Sequence, residues 1–197
     1  MIDNPRSPRV RAVAKLAKRE ARSQTGLFLL EGPQAVSEAL TFRPELIVDL
    51  FATPTALERH PGIAAAAAET DLEVEFVTEQ VLEAMADTVT PQGVVAVCRQ
   101  FPTSVKDILA GQPKLIAILE EVRDPGNAGT IIRAADAAGA DAVIFTGRSV
   151  DLYNPKVVRA TTGSLFHLPV AVDNELESVI ERTKAVGVQV IAADIKG

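Results

Sequence analysis

The sequence predicts an α/β protein whose second half is built on a parallel sheet, and three observations carry this. Apolar runs at 27–32, 45–52, 72–78 and 93–99 alternate with the helix-period patterns "PQAVSEAL", "GIAAAAAET" and "TEQVLEAMA". From Lys114 onward, near-continuous apolar strands are separated by helical stretches, the pattern of a parallel sheet covered on both faces. A hydrophobic content of 47% over 197 residues, without low-complexity tracts, supplies a core and excludes intrinsic disorder.

The elements follow in order. A first α/β unit is expected over residues 1–105. Residues 100–113 hold two prolines and a glycine around one short helical turn and read as a connection, with the linker proper at 106–113. The second unit, 114–197, opens with the strand "KLIAILEEV". It continues through "ADAVIFTG", "NPKVVRA", "SLFHLPV" and the helix "ELESVIERTKAVG" to a last strand, "VQVIAADI". His167 is expected as a packed strand-end residue and Thr162-Gly163-Ser164 as a turn. Cys98 is the only cysteine, so no internal disulfide forms and a buried strand thiol is expected. No apolar run reaches the roughly 18 residues a membrane span needs, and a cytoplasmic protein is expected.

The net charge of −6 is unevenly distributed. Residues 1–22 carry Arg6, Arg9, Arg11, Lys15, Lys18, Arg19 and Arg22 against Asp3 and Glu20, a local +5 that leaves −11 for the rest. Two readings stay open. A basic arm can follow a phosphate backbone by displacing counterions, with Arg9, Arg11, Lys15, Lys18, Arg19 and Arg22 as the contacts. Alternatively the segment is a solvated amphipathic helix with Val10, Val13, Ala14, Leu16 and Ala17 inward.

The stretch "EEVRDPGNAGTIIRAADAAGADAVIFTG" (120–147) is the densest in chemistry. It places a loop and a helix start beyond the carboxyl end of a strand, where open α/β sheets bind ligands. Asn127 suits the N-cap of that helix. Arg133 lies one turn beyond Gly129 on the same face and is either an anion clamp reaching the helix start or an ordinary surface arginine. Neither GxGxxG nor a P-loop is present, which disfavours dinucleotide and triphosphate binding. Glu120, Glu121 and Asp124 read as solvated or capping acids, and no His, Cys or carboxylate cluster has metal-ligand spacing.

"LEEVRDPGNAGTIIRAADAAGADAVIFTG" resembles the first signature motif of the SpoU (TrmH-type) RNA ribose 2′-O-methyltransferases, and "NPKVVRATTGSLFHLPV" (154–170) resembles the second. "FLLEGPQAVSEAL" and "TPQGVVAV" are similar to the small L30e-like substrate-binding domain that precedes the catalytic domain in many members. The resemblance implies an L30e-like α/β domain followed by a SPOUT-type, trefoil-knotted parallel-sheet domain, working as a homodimer with S-adenosylmethionine and without metal. RNA is the implied partner, ribosomal RNA ahead of transfer RNA. Arg133 falls on the family's catalytic arginine and Asn127 on its first-motif asparagine. The usual Ser-x-Gly of the second motif is Thr161-Thr162-Gly163 here.

Family members continue into a third motif beyond the strand resembling "VQVIAADI", whereas this sequence stops at "DIKG". The resemblance therefore implies a catalytic domain incomplete before the knot, with Ala192, Ala193 and Asp194 forming one wall of the cofactor site. It also implies that 197 residues alone neither methylate RNA nor hold the cofactor measurably. If the chain ends naturally at Gly197, a non-catalytic RNA-binding module is the alternative.

Overall fold

The computed structural model describes residues 1–193, the side chains of residues 173 and 174 excepted. Its elements run α1 (Pro8–Lys15), α2 (Arg19–Thr25), β1 (Leu27–Glu31), α3 (Pro33–Phe42), β2 (Ile47–Ala52), α4 (Pro54–Arg59), α5 (Pro61–Glu69), β3 (Val74–Phe76), α6 (Glu79–Met85) and β4 (Val94–Arg99) in the first half. The second half holds α7 (Val105–Ala110), β5 (Ile116–Glu120), α8 (Pro125–Ala137), β6 (Ala142–Thr146), α9 (Pro155–Thr161), β7 (Val170–Asn174) and α10 (Leu176–Ala185). Proline at the first helical turn opens α1, α3, α4, α5, α8 and α9, where its fixed φ suits the helix and its missing N–H costs nothing.

The first sheet has the order β1-β4-β2-β3, with β4 antiparallel to both β1 and β2 and β3 parallel to β2. The second is wholly parallel, β5-β6-β7. Its alternation is clean: Val143 and Phe145 of β6 face one core, Ala142 and Ile144 the other. Residues expected to form a linker are a helix, α7, whose Val105, Ile108 and Leu109 pack with that second core. Cys98 is fully buried opposite Phe28, and burial pushes its thiol pKa up.

One face of the first sheet packs on α1 and α6 through Val10, Val13, Leu16, Val81, Leu82 and Met85. The other face packs on α3, and its core runs without a break into the second half, taking in Ala128, Ile132, Val157 and Leu165. At the join Phe28 lies 4.8 Å from Tyr153 and Phe101 stacks on Phe166 at 5.8 Å, centroid to centroid. The Tyr153 hydroxyl accepts from the Phe101 N–H at 2.8 Å, and its pKa is pushed up to about 12, chiefly by burial.

Two expectations are corrected. The strand "VQVIAADI" does not form over the described residues 188–193, which have no regular structure, and Ile191 is 81% exposed. Strand propensity alone does not make a strand; a hydrogen-bonded neighbour does, and among the described residues β5 pairs only with β6. His167 is not a strand end. It follows a single 3₁₀ turn, Ser164–Phe166, three residues before β7.

The imidazole instead bridges the two halves, with Nε2 at 2.6 Å from Glu38 of α3 and Nδ1 at 2.6 Å from Asp136 of α8, and its ring packs on Phe42. Partial burial lowers its pKa, but the hydrogen bonds and charges of Glu38 and Asp136 outweigh that, and the net shift is upward. A raised folded-state value means the clamp contributes fully below the ordinary value of 6.5 and is lost as pH climbs through the raised value. The stability difference between wild type and His167→Gln should therefore be largest in mildly acidic solution and shrink toward alkaline pH. Urea denaturation across that range measures it; a difference independent of pH would remove the clamp.

Candidate active site

The site grows from the way α8 begins. Asp124, held extended by the proline that follows it, is the N-cap: its carboxylate accepts from the Asn127 N–H at 2.8 Å. This corrects the assignment of Asn127 as the cap. The cap must precede the N1 proline, which puts Asn127 in the first turn with its amide side chain exposed and unpaired among the described residues.

Asn127, Thr130 and Ile131 form one wall of a cleft of about 320 Å³, and Glu120, Glu121 and Asp124 supply much of the rest. The cleft lies at the carboxyl end of β5, where the sheet's topology favours a ligand. Its floor is strained: Glu121 has φ 50°, and its N–H donates to the Thr146 carbonyl at 3.0 Å. A Cβ at Gly147 would come 2.9 Å from Glu121 Cγ, so only glycine fits there. Such outliers concentrate at functional sites. Glu121 pairs with Arg123 at 2.8 Å, while Glu120 has no partner among the described residues.

Arg133 does not share that cleft. Six residues beyond Asn127, it projects about 120° away around the helix. It is exposed, and its guanidinium has no partner among the described residues. Nor does Gly129 make room for it. A Cβ at Gly129 would sit 2.3 Å from Ala160 Cβ and 2.8 Å from the Val157 carbonyl, so this glycine exists to let α9 lie against α8. After α9, Thr162 (φ 50°) and Gly163 (φ 98°) turn the chain as expected, and the Ser164 hydroxyl donates to Asp136 of α8 at 2.7 Å. A Cβ at Gly163 would meet Glu38 at 2.4 Å, so the second motif also holds the first half in place.

Sequence profiles match in two blocks: RNA 2′-O ribose methyltransferase substrate binding over residues 29–104 and the SpoU rRNA methylase family over 114–197. The chain is 35% identical over 193 residues to the Bacillus subtilis 23S rRNA (guanosine(2553)-2′-O)-methyltransferase RlmP, covering 96% of this chain and 71% of that protein. The chain belongs to the SpoU rRNA methylase family.

Solved SpoU relatives share the fold. The AdoMet-bound rRNA methyltransferase from Sinorhizobium meliloti matches with a TM-score of 0.82 and 34% identity, over 100% of this chain and 72% of that one. The AdoMet complex of the SpoU methyltransferase AviRb from Streptomyces viridochromogenes matches with a TM-score of 0.73 and 27% identity, over 94% and 70%.

The basic segment of this SpoU chain divides into two groups. Arg22 is 3% exposed; it donates to the carbonyls of Leu16 and Ala17 and pairs with Asp151 at 2.7 Å, which removes it from any RNA-contacting set. Its charge is inside because α2 and the Asp151 loop close over it. Arg9 is held by Asp49 and Glu75 against the first sheet. Arg11, Lys15, Lys18 and Arg19 have no ion-pair partner among the described residues and line the outer side of the segment. Ala192 and Ala193 are exposed and outside the α8 cleft, and Asp194 lies outside the described residues. Among the described residues no group of His, Cys, Asp and Glu could hold a metal, and no helix is long and apolar enough to cross a membrane.

The motif around Arg133 is readable from the chain, but the bonds across the join are not. Glu31 and Arg159 lie 128 positions apart in sequence, and neither stretch announces the other.

Because Gly129 abuts backbone as well as Ala160, Gly129→Ala should force α8 and α9 apart and cost about 1–3 kcal/mol. Urea unfolding gives the number. A neutral substitution would mean that the helices are not closely packed there.

Proposed function

We infer that this protein transfers a methyl group from S-adenosylmethionine to a ribose 2′-hydroxyl of ribosomal RNA, as a cytoplasmic homodimer. One observation carries the reading: the whole chain matches an AdoMet-bound rRNA methyltransferase with a TM-score of 0.82.

The cleft chemistry suits the donor. Glu120, Glu121 and Asp124 against Arg123 leave it acidic, which favours a ligand bearing sulfonium and ammonium charges. Glu120, Asn127 and Thr130 would hold it. When bound, S-adenosylmethionine supplies an electrophilic methyl group. Ala192, Ala193 and Asp194 join this proposal on one condition. Val188 lies in a groove with Leu115. Pairing from there along the free edge of β5 would bring Ala192 and Ala193 level with Leu119 and Glu120, at the cleft.

Arg133 acts on the RNA side. A guanidinium gives up a proton only at high cost, so we assign it to orienting the target phosphate and stabilising alkoxide charge as it develops on the 2′-oxygen. Asn127, on the cleft side of the same helix, would fix the loop that precedes α8 through hydrogen bonds. Arg11, Lys15, Lys18 and Arg19 would track the phosphate backbone.

Arg133→Ala should lower methyl incorporation into ribosomal RNA by about 100-fold or more with the fold intact, since the side chain is exposed. Arg133→Lys should rescue poorly, because an ammonium lacks the planar fork. Near-normal turnover in the alanine variant would exclude the catalytic role.

Changing Arg11, Lys15, Lys18 and Arg19 together to Ala should flatten the dependence of RNA affinity on salt, by a slope of roughly 0.7–0.9 for each phosphate that no longer has a cationic partner. Arg9→Ala should weaken folding more than it changes that slope. An unchanged slope in the fourfold variant would reduce the segment to a packed helix.

A further inference from the structure

A second concavity, of about 260 Å³, opens where the first half meets α9. Ala35, Pro91 and Val94 form its apolar floor, and Gln34, Thr90 and Gln92 stand at its rim. The rim has hydrogen-bonding capacity to offer. Gln34 donates its amide N–H to Glu38 at 3.0 Å, leaving its carbonyl oxygen open, and the side chains of Gln92 and Thr90 have no partner among the described residues. Gly32, at φ 92°, has a backbone conformation that suits glycine, and a Cβ there would stand 3.3 Å from Gln92 Oε1.

The charge in the wall decides what class of ligand fits. Arg159 is the only cation among its described lining residues, and it already pairs with Glu31 at 2.8 Å and Asp87 at 2.9 Å. Within the lining Glu31 offsets Arg159, and Asp87, outside it, engages the same guanidinium, so no free positive charge is left to hold a phosphate. The volume falls below the roughly 300 Å³ at which sites for drug-sized ligands begin. What remains is a small, flat, neutral group with an apolar face and a polar edge. Amide groups, donor and acceptor together, pair with the edges of nucleobases, and sequence-specific RNA recognition works through splayed-out single-stranded bases.

We propose that this pocket receives one unpaired base of the RNA, seated on Ala35, Pro91 and Val94 and read along its edge by Gln34, Thr90 and Gln92. The proposal rests on the RNA reading above and deepens it. One base held at the join and the ribose at the α8 cleft would make the two halves a single ruler on the substrate, because α9 touches both the pocket and α8.

The test uses the full chain and two probes of equal length: a short single-stranded RNA, and the same ribose-phosphate backbone without bases. Thr90→Ala with Gln92→Ala should weaken binding of the RNA about tenfold and leave the abasic probe unaffected. Photo-crosslinking of the RNA carrying 4-thiouridine should mark the peptide spanning residues 86–94. Equal weakening for both probes, or no weakening for either, would overturn the base pocket. So would cross-links confined to the segment from Arg11 to Arg19, an outcome that leaves the RNA reading standing. Failure of the unaltered chain to bind either probe would overturn the RNA reading and the pocket together.

Discussion

The arrangement depends on one shared apolar contact: Phe28 and Phe101 from the first half closing on Tyr153 and Phe166 from the second. Burying a large side chain is worth about 1.5–3 kcal/mol, while a buried or half-buried ion pair yields little net, because desolvating its charges offsets their attraction. The aromatic contact therefore sets how strongly the halves adhere, and the ion pairs set their register. Tyr153 needs a partner for its hydroxyl inside that contact, and the Phe101 N–H supplies it at 2.8 Å. The chain that leaves the first sheet at β4 is thus fixed at its second residue beyond the strand, before α7 begins.

The charged groups around the aromatic contact act as keys. Arg22 joins the carbonyl end of α1 to Asp151, and with Nε lacking a partner it is not an ideal buried pair. Breaking such a pair by removing one partner typically costs about 3–5 kcal/mol, whereas forming it yields little, so its contribution is to geometry more than to adhesion. Arg159 performs the same office on the other side, joining α9 to Glu31, whose second oxygen accepts the N–H groups of Asp87 and Thr88. The seam pocket and the loop before β4 are shaped by that one carboxylate. A basic segment whose composition suits a polyanion thus lends two arginines, Arg9 and Arg22, to the protein's own packing.

Pattern and period make the α/β class, the parallel second sheet and most strands legible, because an apolar run declares its burial locally. The helix start is legible only in part. Asp-Pro-Gly-Asn offers two capping residues, and the proline decides between them, since the cap must lie before N1. The bridging role of His167 is hidden because a histidine in "LFHLPV" carries no mark of Glu38 or Asp136, both well over twenty residues away. The segment 188–193 misleads for the opposite reason. Its composition suits a strand, but strand formation is a property of pairs, and the partner edge on β5 is not engaged.

The placement of Arg133 constrains the chemistry more than its identity does. Asn127 sits in an acidic cleft that would repel the RNA backbone, while Arg133, about a third of a turn around the same helix, meets solvent with its full charge. A nucleophile bound to phosphate-linked ribose must approach the cleft without its phosphates entering it. In the proposed reading, an arginine outside the cleft but on the same rigid helix would satisfy both demands, attracting the backbone to the rim and leaving the acidic lining for the cationic donor. The close contact of Gly129 with α9 makes that division of labour rigid, since α8 cannot turn to bring Arg133 inward without driving its own backbone into Ala160. The separation of the two charges is therefore built into the packing of the helices and does not wait on either ligand.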